Sequence, residues 1–157
     1  MAYKAVVTGK AREKIKEILR EVAKEKGEIS LAMLVQTLPE VPDRWTFVVS
    51  APWADSSSSK PVISYLSSKL SKNLDRRTLS VIDRISIESS TDPTVQDLIE
   101  MLTGFLGVDV SRFADGYHMW NSVIGGRNIP EGFVFVADPN ANGRSSMQAK
   151  ETHRALR

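Results

Sequence analysis

Helical and strand-like segments follow one another in an irregular order along this chain of 157 residues. Residues 11–26 carry apolar side chains at the spacing of an amphipathic helix, and Gly27 predicts its end. Pro61 and the pair Asp92-Pro93 predict two further helix starts, and short apolar stretches lie between and after these helices. This order favours an α+β fold, with a mostly antiparallel sheet of four to five strands packed by about three helices.

The segment of residues 28–38 fits two secondary structures. Ser30 is a plausible cap for a short helix, whereas Leu31, Met33 and Val35 alternate as on the buried side of a strand. We interpret the segment as a strand, because a hairpin-length loop connects it to the strand-like residues 45–50. The other predicted strands are residues 78–88, 117–124 and 133–137.

No internal repeat or long linker divides the chain, and residues 1–138 are therefore predicted to form a single α+β domain. Residues 139–157 lack an apolar face and predict a loosely ordered C-terminal tail. The longest apolar runs are far shorter than the ~20 residues that span a bilayer. Residues 1–8 also lack the pattern of a signal peptide, so we expect a cytoplasmic protein without a membrane partner.

Composition excludes several kinds of chemistry. The chain has no cysteine, which excludes disulfide scaffolds, cysteine-ligated zinc, iron–sulfur clusters and thiol nucleophiles. The two histidines, His118 and His153, are too few for a multi-histidine metal site. We therefore predict no metal and no cofactor. The 21 basic and 19 acidic residues leave a net charge of +2, which generates little long-range field.

The connection from residue 50 to residue 61 is the most unusual stretch. It joins a predicted strand to a predicted helix, where free backbone N–H groups and the helix dipole can hold an anion. The candidate ligand-binding residues are Trp53, Ser57, Ser58, Ser59 and Lys60. They predict a small anionic ligand, or a protein partner for which Trp53 is an exposed anchor. The alternative is a capped connection without a ligand, because the glycines of a P-loop are missing and Asp55 would repel an anion.

His118 is the candidate for catalysis, in the predicted strand 117–124. A histidine general base oriented by Asp55 or Asp83 would indicate a hydrolase or transferase. No Gly-x-Ser-x-Gly motif accompanies it, and a histidine hydrogen-bonded within the sheet is the simpler interpretation. The sequence therefore favours a protein that acts by binding and not by catalysis, with the enzyme as the alternative.

Residues 138–143 match the first half of a calcium-binding loop, D-x-N-x-N-G. The bidentate glutamate expected at the twelfth position is replaced by Ala149, and the stretch before Asp138 is a predicted strand where an EF-hand has a helix. We therefore interpret these residues as a turn-rich exit from the domain.

Two macromolecular partners remain as alternatives. Residues 1–26 hold eight Lys+Arg and four Glu, an excess of four positive charges that suits nucleic acid. The lysines alternate with glutamates, however, which is typical of a solvated helix face, so nucleic-acid binding through this helix is the third function considered. A homodimer through an unpaired edge strand is the other alternative.

Overall fold

The computed structural model describes residues 7–36, 44–55, 58–105, 117–124, 127–139 and 141. These residues form one five-stranded sheet with helices on both faces, which confirms the predicted α+β class. The helices are α1 (Gly9–Lys26), α2 (Pro52–Asp55), α3 (Ser59–Asn73), α4 (Arg76–Val81) and α5 (Pro93–Glu100), which continues into a π-helical turn (Met101–Phe105). The strands are β1 (Leu31–Gln36), β2 (Trp45–Ser50), β3 (Ile82–Ile87), β4 (Tyr117–Ile124) and β5 (Arg127–Ala137).

The sheet has the strand order β3-β2-β1-β5-β4 and is mixed. β1 pairs antiparallel with β2 and with β5, and β5 pairs antiparallel with β4. β2 and β3 form the parallel pair, because α2, α3 and α4 connect them and provide the long crossover that parallel strands require. The prediction of a mostly antiparallel sheet is therefore confirmed, with one parallel pair added at an edge.

Several predicted elements have shifted boundaries. The ambiguous segment 28–38 is strand β1, as interpreted from the sequence. The predicted strand 78–88 begins as helix α4, because the Asp75 side chain accepts a hydrogen bond from the Thr78 N–H at 2.7 Å and caps a helical turn. The predicted strand 133–137 starts earlier, at Arg127. Most of the predicted tail lies outside the described residues.

The two faces of the sheet carry separate apolar clusters. The first, which we call the α1/α3 side, includes Ala32 and Leu34 of β1 together with the inward faces of α1 and α3. The second, the α5 side, includes Leu31, Met33 and Val35 of the same strand together with α5. β1 is thus buried on both faces, which explains its uninterrupted apolar sequence.

β2, β3 and β5 run in the same direction, and their final residues lie together at what we call the carboxyl end of the sheet. Backbone hydrogen bonds connect this end: the Ser30 N–H donates to the Ser50 carbonyl, and the Asp138 N–H donates to the Ser30 carbonyl, both at 2.8 Å. Because α3 and α5 start after these strands, both helices begin at this end.

Within the ranges described above, no helix combines the length and apolar character that a membrane crossing requires.

Candidate functional site

Buried polar side chains concentrate at the carboxyl end of the sheet. Of the seven buried polar or charged residues in the described ranges, four lie here and are at most 2% exposed: Ser30, Ser50, Ser90 and Asp138. Burial of polar groups costs free energy unless each finds a partner. Such a concentration therefore marks either a structural hydrogen-bond network or a binding site.

Asp55, a candidate catalytic residue, serves to hold a turn. Its Oδ1 accepts a hydrogen bond from the Ser90 N–H at 3.0 Å, and its Oδ2 accepts one from the Ser90 hydroxyl. The Gln96 side-chain amide donates to the Ser90 carbonyl. These bonds join α2 to the turn between β3 and α5. The Asp55 carboxylate is thus held toward Ser90 by two donors.

Trp53 is half-buried on the α1/α3 side and is not an exposed anchor. Its ring meets the Tyr65 ring edge-on, with 6.5 Å between centroids and 90° between planes. Gly27, after the end of α1, adopts a φ of 125°, and a Cβ there would lie 3.4 Å from Trp53 Cδ1. Trp53 therefore packs the end of α1 against α3, which limits its use as a stacking surface.

Tyr65 also belongs to a polar network between α1 and α3. Its hydroxyl donates to Glu25, and the Lys69 ammonium donates to Glu21 at 2.8 Å and to Glu25 at 2.7 Å. Burial, followed by the bond to Glu25, raises the pKa of Tyr65 to about 12. The bonds from Lys69 and then from Tyr65 lower the pKa of Glu25. Sequence reasoning missed this network, although the i,i+4 spacing of Glu21 and Glu25 on α1 was visible.

Ser58, Ser59 and Lys60 form the exposed start of α3. Ser58 is the N-cap residue with extended backbone dihedrals (φ −64°, ψ 150°), but its hydroxyl makes no capping hydrogen bond. The first turn of α3 contains no acidic side chain. This turn therefore presents hydroxyl groups, an ammonium group and the positive end of a 15-residue helix at one place. Ser57 lies outside the described residues.

The three tentative catalytic residues are not brought together. His118 on β4 has its Nε2 at 3.2 Å from Glu131 Oε1 and stacks on Phe133, with 4.8 Å between ring centroids. Asp83 is exposed on β3, at the opposite edge of the sheet. Four interstrand spacings of about 4.8 Å place these two strands about 19 Å apart. Asp55 lies at the carboxyl end with Ser90.

Sequence reasoning missed Glu131, the carboxylate that does contact His118. The register of β4 and β5 brings the two residues to diagonal positions, since His118 lies opposite Phe133 and Trp120 lies opposite Glu131. The same register pairs Ile124 with Arg127 and leaves two residues, both glycine, between them. Interpreting Gly-Gly as a two-residue hairpin would have predicted this register.

No group of three or more His, Cys, Asp or Glu side chains in the described ranges is arranged to hold a metal ion. Of the residues that match half of a calcium loop and are interpreted as a turn-rich exit, Asp138 is 2% exposed at the end of β5. Asn140 and Asn142 lie outside the described residues.

Three comparisons with known proteins give no relative: no protein-family model, no curated protein and no solved structure matches the chain. The function is therefore inferred from the chain's own geometry.

Proposed function

We propose that the protein binds a small anionic ligand through a carboxylate or phosphoryl group at the start of α3, and that it acts by binding and not by catalysis. The observation that carries the proposal is the exposed first turn of α3, with Ser58, Ser59 and Lys60 and no acidic side chain. This turn lies at the carboxyl end of three strands that run in the same direction. In open parallel sheets, ligands commonly bind beyond the carboxyl ends of the strands, and β2 and β3 form a parallel pair of this kind.

The donors at this turn suit an anion. The first N–H groups of a helix have no intrahelical acceptor, and the helix dipole favours negative charge beside them. The Ser58 hydroxyl, which makes no capping bond, adds a donor, and the Lys60 ammonium adds a charge. Asp55, the nearest acid in sequence, is directed toward Ser90 by hydrogen bonds from the Ser90 N–H and hydroxyl.

Separation of the candidate catalytic residues supports binding over the enzyme alternative. A general base must lie within hydrogen-bond reach of the group that orients it. His118 contacts Glu131, whereas Asp83 lies on the opposite edge strand and Asp55 is held by Ser90. A hydrolase or transferase built on His118 with Asp55 or Asp83 therefore lacks support in the geometry.

The test uses inorganic phosphate as the probe, with binding measured by calorimetry and by thermal shift at constant ionic strength. Lys60→Ala is expected to weaken binding about tenfold, the effect of losing one charge-assisted hydrogen bond of about 1.4 kcal/mol. Ser58→Ala should weaken it less, because a neutral hydroxyl makes the weaker bond. The matched control is Lys72→Ala, an exposed lysine in the last turn of the same helix. Equal losses in Lys60→Ala and Lys72→Ala would contradict the proposal.

A further inference from the structure

Arg12 on the first turn of α1 is a half-buried cation, and no carboxylate among the residues that the structure describes forms an ion pair with it. Its Nε atom is buried and has no hydrogen-bond acceptor. The ion pairs found in the described part of the chain connect Lys69 with Glu21 and Glu25, and His118 with Glu131, but give Arg12 no carboxylate. Arginine is rarely buried unless it is paired, so the position of this side chain requires an explanation.

Aromatic contacts hold the guanidinium group in place. Its central carbon lies 4.6 Å from the centroid of the Phe133 ring. Phe133 in turn stacks between neighbours on its own side of the sheet, with ring centroids 5.8 Å from Trp45 and 4.8 Å from His118. Trp45 and Phe133 are buried, and the wall beneath Arg12 is therefore rigid and apolar. A cation–π contact offsets part of the cost of burial but supplies no acceptor for the N–H groups.

The surroundings of Arg12 add further donors. A Cβ placed on Gly9 would lie 3.5 Å from Arg12 Nη2, so the guanidinium lies beside the first residue of α1. Thr8 accepts hydrogen bonds from the N–H groups of Ala11 and Arg12, at 3.1 and 3.0 Å. Gly9 and Lys10 are exposed, their N–H groups precede the first intrahelical bonds, and the first turn of α1 has no acidic side chain.

Two carboxylates lie in this part of the fold: Asp75, which interacts electrostatically with Lys10, and Glu131, which contacts His118. Glu131 is the one on the same strand as Phe133. It lies two residues before Phe133, on the same face of β5, and its Oε1 is 3.2 Å from His118 Nε2. The histidine therefore engages the Glu131 carboxylate, and no ion pair within the described ranges joins a carboxylate to Arg12. The arrangement leaves the guanidinium available to an anion from outside the chain.

We propose that Arg12 is the anchor of a second anion site, in which its guanidinium group and the exposed N–H groups of Gly9 and Lys10 bind one carboxylate or phosphoryl group. A guanidinium group binds such oxyanions in a bidentate geometry that an ammonium group does not reproduce. The apolar wall of Phe133 and Trp45 lowers the local dielectric and strengthens the attraction. The rise of 1.5 Å per residue along α1 separates Arg12 from Gly27 beside Trp53 by about 22 Å, and the site is therefore distinct from the start of α3.

The test uses the full chain with two probes, inorganic phosphate and acetate, at constant ionic strength. Binding is followed through ¹H–¹⁵N shifts of the Gly9 and Lys10 amides. Saturable shifts with phosphate alone identify a phosphoryl site, and saturable shifts with both probes identify a general oxyanion site. Shifts that grow with probe concentration without saturating, or that are absent with both probes, would overturn the proposal.

Three variants test whether Arg12, and not another charged residue nearby, determines the affinity for the anion. Arg12→Lys keeps the positive charge but loses the planar guanidinium group that donates two parallel hydrogen bonds, and it should weaken binding about tenfold or more. Arg20→Gln, at an exposed arginine of the same helix, should leave the affinity unchanged. Glu131→Gln should leave it unchanged or tighter, because it removes a negative charge near the site. An affinity unaffected by Arg12→Lys would overturn the proposal.

Two further results distinguish this site from its alternatives. If Glu131 is the counter-ion of Arg12 in solution, Glu131→Gln and Arg12→Gln will each destabilise the protein and their effects will not add, which also overturns the proposal. Lys60→Ala should leave the Gly9 and Lys10 shifts intact. Failure at the start of α3 with saturable binding at α1, or the reverse, therefore separates this proposal from the proposed function.

Discussion

The role of the Asp55 carboxylate depends on the residue that the fold places beside it. The sequence placed it beside serines in a connecting segment, where it is a candidate acid for catalysis and an obstacle to anion binding. In the fold it accepts hydrogen bonds from both donors of Ser90, a residue that is 1% exposed. The long separation of residues 55 and 90 along the chain hides this pairing from any local pattern.

Replacing Asp55 with alanine should therefore destabilise the fold. The substitution removes the Asp55 carboxylate that accepts from the buried N–H and hydroxyl of Ser90, at a cost of about 2 kcal/mol. Asp83→Ala is the matched control, since Asp83 is an exposed acid on the edge strand β3 and surface changes cost within about 0.5 kcal/mol. Urea unfolding measures both. Similar free energies of unfolding for the two variants would show that the Ser90 bonds do not contribute.

Ser50 should respond to truncation in the opposite way. It is fully buried at the end of β2, and its hydroxyl has no hydrogen-bond partner. Ser50→Ala removes an unsatisfied polar group and should leave the free energy of unfolding unchanged or raise it by about 1 kcal/mol. Ser90→Ala, at an equally buried serine that donates to Asp55, should lower it. A clear loss of stability in Ser50→Ala would indicate that the hydroxyl has a partner in solution.

The sequence predicts helices and strands well where apolar side chains repeat on one face of the element. It predicts their first and last residues less well where a single capping residue or proline sets the boundary. α1 shows a single apolar stripe, and its predicted end at Gly27 matches the last helical residue, Lys26. α4 was missed because Asp75 caps a turn whose residues also fit a strand. β5 was predicted too short because Pro130 lacks an N–H. The strand tolerates it there, since residues 127–130 lie beyond the described pairing with β1, which ends at Gln36 and Glu131.

The contact between α1 and α3 predicts a pH dependence at alkaline pH. The pKa of Tyr65 rises from 10.0 to about 12 in the fold, first through burial and then through Glu25, so the folded state holds the phenol proton more tightly than the unfolded chain. This contribution to stability is complete below pH 10 and disappears as the pH rises through about 12.

Spectroscopic titration checks this expectation. In the wild-type protein, one tyrosinate absorbance step should appear near pH 12, and Tyr65→Phe should remove it. The same substitution should remove the corresponding loss of stability between pH 10 and pH 12 in urea unfolding. A wild-type protein in which all tyrosines titrate near their ordinary pKa of about 10 would contradict the network of Tyr65, Glu25 and Lys69.

For the whole molecule, the order of the strands decides which candidate residues meet. Local patterns predict that β3 and β4 exist, but their places at opposite edges depend on pairings between distant segments. The sequence alone therefore allowed His118 and Asp83 to share a cleft, whereas the sheet separates them. The start of α3 was predicted because its signals, Pro61 after serines, are local. Arg12 was missed because it looks like any other basic residue of a solvated helix until Phe133 is placed beneath it.

The shared sheet predicts that the two faces unfold together. Both β1 and β5 contribute side chains to each side, with Phe133 of β5 on the α1/α3 side and Val134 on the α5 side, so the two sides use the same two strands. Leu19 on α1 and Leu102 after α5 are both fully buried, one on each side.

Leu19→Ala and Leu102→Ala are therefore a matched pair, and each should lower the free energy of unfolding by about 2–5 kcal/mol. Urea unfolding followed by far-UV circular dichroism and tryptophan fluorescence should show one coincident transition with an unchanged m-value in both variants. An early separate transition in Leu102→Ala, seen as lost hydrogen-exchange protection confined to α5, would instead show that the α5 side unfolds as an independent unit.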